Sequence, residues 1–246
     1  MRYLITGGSG FIGSNLIRLL LSRKGNKVIN VDKVTYAGNT ASLNDVDCDL
    51  NYKFYKVDIC DKKKIREVID EVSPNVIMHL AAESHVDRSI SCPDDFIKTN
   101  IFGTYSLLEA TTSYWQKLHS KKKDLFRFHH ISTDEVYGDL SISDKPSREE
   151  DPYLPSSPYS ASKASSDHLV RSWFRTYGLP VILTNCSNNY GPFQFPEKFI
   201  PKLIVCGFRS EKMPVYGDGK QIRDWLYVDD HTNALLLVAE KGVIGE

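Results

Sequence analysis

Residues 2–15 read RYLITGGSGFIGSN. A short apolar run ends at Thr6, a glycine cluster follows at once, and apolar residues at helical spacing begin at Phe11. The pattern predicts a strand, a tight turn and the start of a helix in direct succession. Gly8, Gly10 and Gly13 fit G-x-G-x-x-G, and Gly7, Gly10 and Gly13 fit the variant G-x-x-G-x-x-G. Glycine serves here because the backbone must bend sharply and approach a pyrophosphate closely. The unpaired N–H groups and partial positive charge of the helix start then receive the anion. A glycine triplet alone is explained nearly as well by a tight turn. The strand before it, the helix after it and Asp32 at the end of the next strand make a dinucleotide site the better reading.

A carboxylate at Asp32 can accept from both ribose hydroxyls and repel a 2′-phosphate, which favours NAD over NADP, although Lys33 beside it works the other way. Asp58-Ile59, after the third strand, either brackets the adenine or places Asp58 as the cap of the next helix.

Outward from this turn, apolar runs alternate with helical patterns. Strands are expected at Tyr3–Thr6, Lys27–Val31, Tyr52–Val57, Val76–Leu80, Phe126–Ile131 and Val181–Thr184, with helices near 11–23, 61–72, 94–118 and 159–177. Such alternation implies βαβ units, hence an α/β fold with a Rossmann-type doubly wound parallel sheet over residues 1–190. From Gly191 the chain turns rich in Pro, Gly, aromatics and charge. Residues 191–246 are expected to begin a smaller C-terminal substrate lobe, with 229–241 a helix packing back on the Rossmann domain.

The chain has 246 residues, 41% of them hydrophobic, enough for a large core. Lys+Arg and Asp+Glu both total 31, so no global field favours nucleic acid or membrane. The runs Asp61–Glu67 and Ser120–Asp124 are read as solvated surface. Five cysteines without a CxxC pair fit reduced thiols in a cytoplasmic protein rather than a disulfide framework or a zinc site. His129-His130 resemble a metal pair at the end of a strand, but adjacent strand residues face opposite sides and no third ligand has useful spacing, so no metal is expected.

Tyr159 and Lys163 stand four residues apart, on one face of a helix. A phenol titrates near about 10, and a nearby cation favours the phenolate that could take a hydroxyl proton while hydride leaves the same carbon. With the glycine turn upstream, the pair resembles the short-chain dehydrogenase family, in which this Tyr and Lys have those roles. After the fifth strand comes Ser132-Thr133-Asp134-Glu135. Ser132 and Glu135 also fit a helix capping box. Two adjacent carboxylates at the C-terminal end of a parallel strand nevertheless sit where open α/β sheets bind ligands, and burial with mutual repulsion would separate them into an acid and a base.

HHISTDEVYGDL, SSPYSASKASSDHLVR, TNCSNNYGPFQFPEKFIPK, GKQIRDWLYVDDH, VDKVTYAGN and LAAESHVDRSI resemble the corresponding blocks of the dTDP-glucose 4,6-dehydratase family, an extended branch of the short-chain dehydrogenases. The resemblance implies NAD as cofactor and dTDP-glucose as substrate. Tyr159, assisted by Lys163, would take the 4-hydroxyl proton, Thr133 would bond the same oxygen, Glu135 would take the C5 proton and Asp134 would protonate the departing water. The resemblance also places Phe11, Ile12, Lys33, Thr35, Leu80, Ala81, Ala82, Ser84 and Thr99 by the cofactor, along with the glycines, Asp32, Asp58, Ile59, Tyr159 and Lys163. Ser84, Thr133, Asn188, Glu197, Lys198 and Arg223 would face the nucleotide sugar, Arg223 pairing with the diphosphate unless it pairs with Asp224 or Asp229 instead. A homodimer through a four-helix interface, from 94–118 and 159–177, is implied as well. The family runs longer than 246 residues, so the chain is expected to lack a C-terminal part. The alternatives are a C4 epimerase, a dehydratase of another nucleotide hexose, and an inactive NAD-binding remnant.

Overall fold

The apolar runs of the first half form one sheet. In the computed structural model, which describes residues 1–36, 38–141, 143–215 and 217–246, they are β1 (Arg2–Thr6), β2 (Lys27–Asp32), β3 (Tyr52–Lys56), β4 (Val76–His79), β5 (Arg127–Thr133) and β6 (Val181–Cys186). All neighbours pair in parallel, in the order β3-β2-β1-β4-β5-β6. Parallel neighbours need long crossovers. These are built from α1 (Phe11–Ser22), α2 (Lys62–Val72), α3 (Val86–Ser91), α4 (Pro93–Phe96), α5 (Thr104–Gln116), α6 (Ser120–Leu125) and α7 (Pro158–Tyr177). The order reverses between β1 and β4, which opens a crevice at their C-terminal ends.

Strand alternation decides which helix covers which face. Leu4, Ile29, Ile77 and Phe128 join Ile65 and Ile69 of α2, Leu107 of α5 and Val170 of α7 in one apolar cluster. Their neighbours Tyr3, Ile5, Val28 and Met78 join Leu16, Ile17 and Leu20 of α1 with Leu235 and Leu236 of α9 (Val228–Lys241) in the other. Each fully buried aliphatic side chain contributes about 1.5–3 kcal/mol relative to exposure, so the two clusters fix the strand register as well as the helix positions.

The structure departs from the sequence-based expectations in particular places. The helix expected over 94–118 is interrupted: residues Ile97–Gly103 form a wider π-helical turn between α4 and α5. Ser132 does not cap a helix. It belongs to β5, and Thr133 caps the 3₁₀ turn Asp134–Tyr137 by accepting from the Glu135 N–H. Asp58 is not the cap of α2 either; Asp61 is, accepting from the Lys64 N–H at 3.1 Å. Beyond residue 186 the aromatic-rich stretch holds a small parallel pair, β7 (Asn188–Tyr190) and β8 (Trp225–Tyr227), together with α8 (Phe199–Phe208). Three-residue strands carry too little periodicity to be read from sequence. Among the described residues, no helix is long and apolar enough to cross a membrane.

His129 and His130 lie in the middle of β5 rather than at its end, and both are fully buried on opposite faces. His129 Nε2 meets Thr184 Oγ1 at 3.0 Å, and His130 Nε2 meets Asp167 Oδ1 at 3.0 Å. Burial lowers the His129 pKa to about 3 and that of His130 to about 4. An unfolded histidine titrates near about 6.5, so below that pH the unfolded chain binds protons the folded chain refuses. The stabilising contribution is complete above about pH 6.5 and is lost as pH falls toward 4. Unfolding free energies from denaturant titrations at pH 7 and pH 5 should therefore differ by on the order of 2 kcal/mol per buried histidine. His129→Gln should flatten that dependence even though it lowers stability at pH 7; an unchanged slope would place the acid sensitivity elsewhere.

Candidate active site

The turn after β1 is shaped by contacts only glycine tolerates. Gly7 has φ +74°, and a Cβ there would stand 2.6 Å from the Ala81 backbone nitrogen. A Cβ on Gly13 would stand 2.7 Å from Gly8 Cα, so α1 could not start so close to the strand. Gly10 is the N-cap of α1, with no side-chain cap and no acidic residue in the first turn. The helix start thus keeps its N–H groups and its partial positive charge for an outside acceptor. Across the turn, Asp32 ends β2. Its carboxylate accepts from the Ser9 N–H at 3.0 Å and the Val34 N–H at 2.7 Å, which fixes its orientation. Burial raises its pKa, and the two N–H bonds oppose that shift.

A cavity of about 540 Å³ opens over this turn, at the crevice where strand order reverses. Its wall includes Gly7, Gly10, Gly13, Phe11, Ile12, Asp32, Lys33, Thr35, Ile59, Leu80, Ala81, Ala82, Ser84, Thr99, Tyr159 and Lys163, but neither Gly8 nor Asp58. Asp58 instead accepts from the Cys60 N–H at 2.9 Å. Thr133, Glu135, Asn188, Glu197 and Lys198 line the same space. Asp134 and Arg223 are not in the wall. Arg223 is exposed and donates to the Ile222 carbonyl, and among the described residues no ion pair joins it to Asp224 or Asp229. Its positive charge nevertheless acts on both Asp134 and Glu135.

The reactive corner is built where α7 meets β5. Ser157 and Ser160 cap each other reciprocally, with Pro158 in the first turn, so α7 begins sharply and Tyr159 sits beside its positive end. One turn on, the buried Lys163 ammonium donates to the Ile131 carbonyl of β5 at 2.9 Å. One turn further, Asp167 accepts from Ser132 Oγ at 2.8 Å and from His130 Nε2 at 3.0 Å, with Asn185 Nδ2 at 3.4 Å. Burial alone would raise the Asp167 pKa; these donors and the Lys163 charge hold it below the usual range, an anionic anchor against a neutral His130.

The electrostatics differ from the expectation that Lys163 brings Tyr159 down. Burial first, then the negative charge of Glu135, pushes the Tyr159 phenol well above its ordinary range, while a hydrogen bond from Thr133 opposes them. Lys163 is itself lowered by burial. Burial raises Asp134, and burial followed by the Asp134 charge raises Glu135. Burial thus favours the neutral form of each of these groups.

Sequence reasoning missed several wall residues: Glu83, His85, Cys186, Gln194 and Phe195. Glu83 and His85 flank Ser84 in a block already singled out, and a charged residue just past the buried strand β4 was the available signal. His85 Nε2 lies 3.7 Å from Glu197 Oε1, and Lys198 Nζ donates to the Ser84 carbonyl at 3.3 Å, so these two segments close one side of the cavity together. Cys186 gave no signal. Burial and the Asp134 charge push its thiol up to about 12. Because the thiolate is the nucleophile, iodoacetamide at about pH 8 should label the exposed Cys48 and Cys92 while leaving Cys186 unmodified until the chain unfolds. Peptide mapping that finds Cys186 labelled first in the native protein would contradict this.

Comparison with known proteins agrees with this geometry. The family model described as GDP-mannose 4,6 dehydratase matches residues 4–245. A dTDP-glucose 4,6-dehydratase of Neisseria meningitidis serogroup B is 58% identical over 245 residues, spanning 100% of this chain and 69% of the relative. The solved dTDP-glucose 4,6-dehydratase DesIV of Streptomyces venezuelae, with NAD bound, superposes with a TM-score of 0.91 at 43% identity, over 100% of this chain and 74% of that one. The Bacillus anthracis dTDP-glucose 4,6-dehydratase in complex with NAD gives 0.89 at 42% identity, with the same coverage. The match runs unbroken from the first strand past the last helix, through the glycine turn, the paired carboxylates and the Tyr–Lys helix, and by it the chain belongs to the GDP-mannose 4,6-dehydratase family.

Proposed function

We propose that this chain is an NAD-dependent hydro-lyase that converts dTDP-glucose to dTDP-4-keto-6-deoxyglucose. The observation that carries the reading is the convergence of Tyr159, Thr133 and Glu135 on the cavity that the glycine turn and Asp32 also line. The relatives named as dTDP-glucose 4,6-dehydratases support the substrate, and the NAD bound to two of them supports the cofactor. The residues fit that cofactor: the uncapped start of α1 suits a pyrophosphate, and the oriented Asp32 carboxylate suits a ribose.

When bound, NAD would supply a positive charge in the cavity and an acceptor for the hydride that C4 gives up and C6 regains. Tyr159 Oη takes the proton of the sugar 4-hydroxyl, and Thr133 Oγ1 bonds the same oxygen, which leaves C4 a ketone. The positive end of α7 favours the phenolate, and Lys163 assists by tying that helix to the Ile131 carbonyl of β5. The ketone acidifies C5, whose proton passes to the Glu135 carboxylate. Asp134, whose pKa is raised by burial, gives its proton to the C6 hydroxyl, which departs as water. Glu135 returns a proton to C5. The sugar loses one water and keeps the C4 ketone.

Ser84, Asn188, Glu197 and Lys198 hold the nucleotide sugar, and Arg223 turns its guanidinium to the diphosphate. Residues 191–246 form the substrate-facing part, with α9 returning to the Rossmann sheet, as Leu235 and Leu236 in the cluster of Ile5 and Leu16 support. A C4 epimerase needs no acid–base pair for elimination, so Asp134 and Glu135 favour the dehydratase. The complete catalytic set speaks against an inactive remnant. The five free thiols fit a cytoplasmic setting.

Substrate carrying deuterium at C4 separates the steps. The unaltered chain should release a product lighter by one water with the label moved to C6. Glu135→Gln should remove the label from C4 yet lose water about 10²–10³-fold more slowly. Tyr159→Phe should leave the label at C4. Water loss at the normal rate in Glu135→Gln would remove that residue from its role.

A homodimer forms through a four-helix interface built from 94–118 and 159–177. The exposed Ile97 and Phe102 on the first segment and Tyr177 on the second support this. Phe102→Glu should convert a sedimenting dimer to monomer; an unchanged sedimentation coefficient would move the interface elsewhere.

A further inference from the structure

Lys33 follows the ribose carboxylate Asp32 directly and lies in the cavity wall, where a free cation would welcome a 2′-phosphate. In the structure that cation is already engaged. Its Nζ lies 3.1 Å from Glu83 Oε1 and 3.0 Å from Thr99 Oγ1. Both pairing residues line the cavity too. The Glu83 side chain is the more sheltered of the ion pair, 14% exposed against 29% for Lys33.

Neither partner is loosely placed. The Glu83 main chain is gripped from both sides by Asn100, whose Oδ1 accepts from the Glu83 N–H at 2.8 Å and whose Nδ2 donates to the Glu83 carbonyl at 3.0 Å. Asn100 is tied in turn to Ser162 Oγ of α7 at 2.8 Å. On the other side, the Val34 N–H donates to Asp32 Oδ1 at 2.7 Å, and Val34 takes φ 58°, a left-handed conformation that a β-branched residue resists. That sharp turn follows Lys33 directly. Glu83 is also close enough for its charge to act on Asp32. Asp32, Lys33 and Glu83 together therefore leave one uncompensated negative charge at the ribose end of the cavity.

We infer that Glu83 is a cofactor-selectivity residue: by locking Lys33 into an internal ion pair it withholds the cation from a 2′-phosphate and keeps the ribose pocket closed to NADP. The inference rests on the NAD reading and names the residue that resolves the conflict between Asp32 and Lys33. Asp32 supplies the acceptor for the ribose hydroxyls, and Glu83 prevents its neighbour from undoing the discrimination. Glu83→Gln keeps the side-chain shape and every main-chain bond to Asn100, yet frees the Lys33 ammonium.

The test is a competition for binding. Chain incubated with equal NAD and NADP is examined by native mass spectrometry, which reads the ratio of the two dinucleotides bound. Glu83→Gln should raise the NADP share by about tenfold, the order expected for freeing one cation near a phosphate in a partly solvated pocket. The double variant Glu83→Gln with Lys33→Met should return the ratio toward that of the unaltered chain. Lys33→Met alone leaves Glu83 unpaired and should lower the NADP share further. Retained NAD binding in each variant shows that it has folded. An unchanged ratio in Glu83→Gln, with NAD still bound, overturns the inference. A rise that persists in the double variant assigns the effect to Glu83 without Lys33 and overturns the ion-pair account. Uptake of neither dinucleotide by the unaltered chain overturns the NAD reading and this inference with it.

Discussion

The site depends on one buried carboxylate. Asp167 takes its hydrogen bonds from Ser132 and His130 of β5, with Asn185 of β6 beside it, and so fastens α7 to the strand ends that carry the Asp134–Tyr137 turn. An ion without partners in so dry a place would cost several kcal/mol, which is why the carboxylate and its donors must stay together. Two turns back along the same helix face stands Tyr159, with Lys163 between them and bonded to the carbonyl of Ile131. Helix, strand and turn are thereby held at one spacing, and the phenol, the ammonium and the Glu135 carboxylate arrive in the cavity as a set.

That arrangement also sets the proton affinities of the corner. The groups that rigidify it are buried, and burial raises Tyr159, Asp134 and Glu135 alike. Acid–base chemistry at such a place needs charge brought from outside, and the uncapped helix start with its neighbouring cradle is built to hold a ligand that could bring it.

Much of this is legible along the chain because it is local. The alternation of strand and helix, the glycine turn, Asp32 and the four-residue spacing of Tyr159 and Lys163 all express themselves within a few residues. The features that stay hidden are set by distant partners. Ser132 fits a capping motif, yet Asp167, thirty-five residues on, claims its hydroxyl. Asp58 reads as a possible cap of the next helix, yet the helix starts in space three residues on and Asp61 caps it. Lys33 reads as an argument for NADP until Glu83, fifty residues away, is seen paired with it. The small sheet of β7 and β8 joins segments too short to show a period.

The π-helical turn at Ile97–Gly103 accommodates backbone that an ordinary helix would not. Each residue of an α-helix advances the side chains by about 100° around its axis, so a wider turn resets the phase between the residues on its two sides. The α4 side thus presents Phe96 to Tyr159, while α5 presents Leu107 and Tyr114 to the core beside α2, as if two helices with different azimuths had been spliced. Thr99 and Asn100 sit at the splice, one holding Lys33 and the other Glu83. The length of this segment is therefore specified along with its composition, because the count of residues through the wide turn sets which side chains face Tyr159 and which face the core.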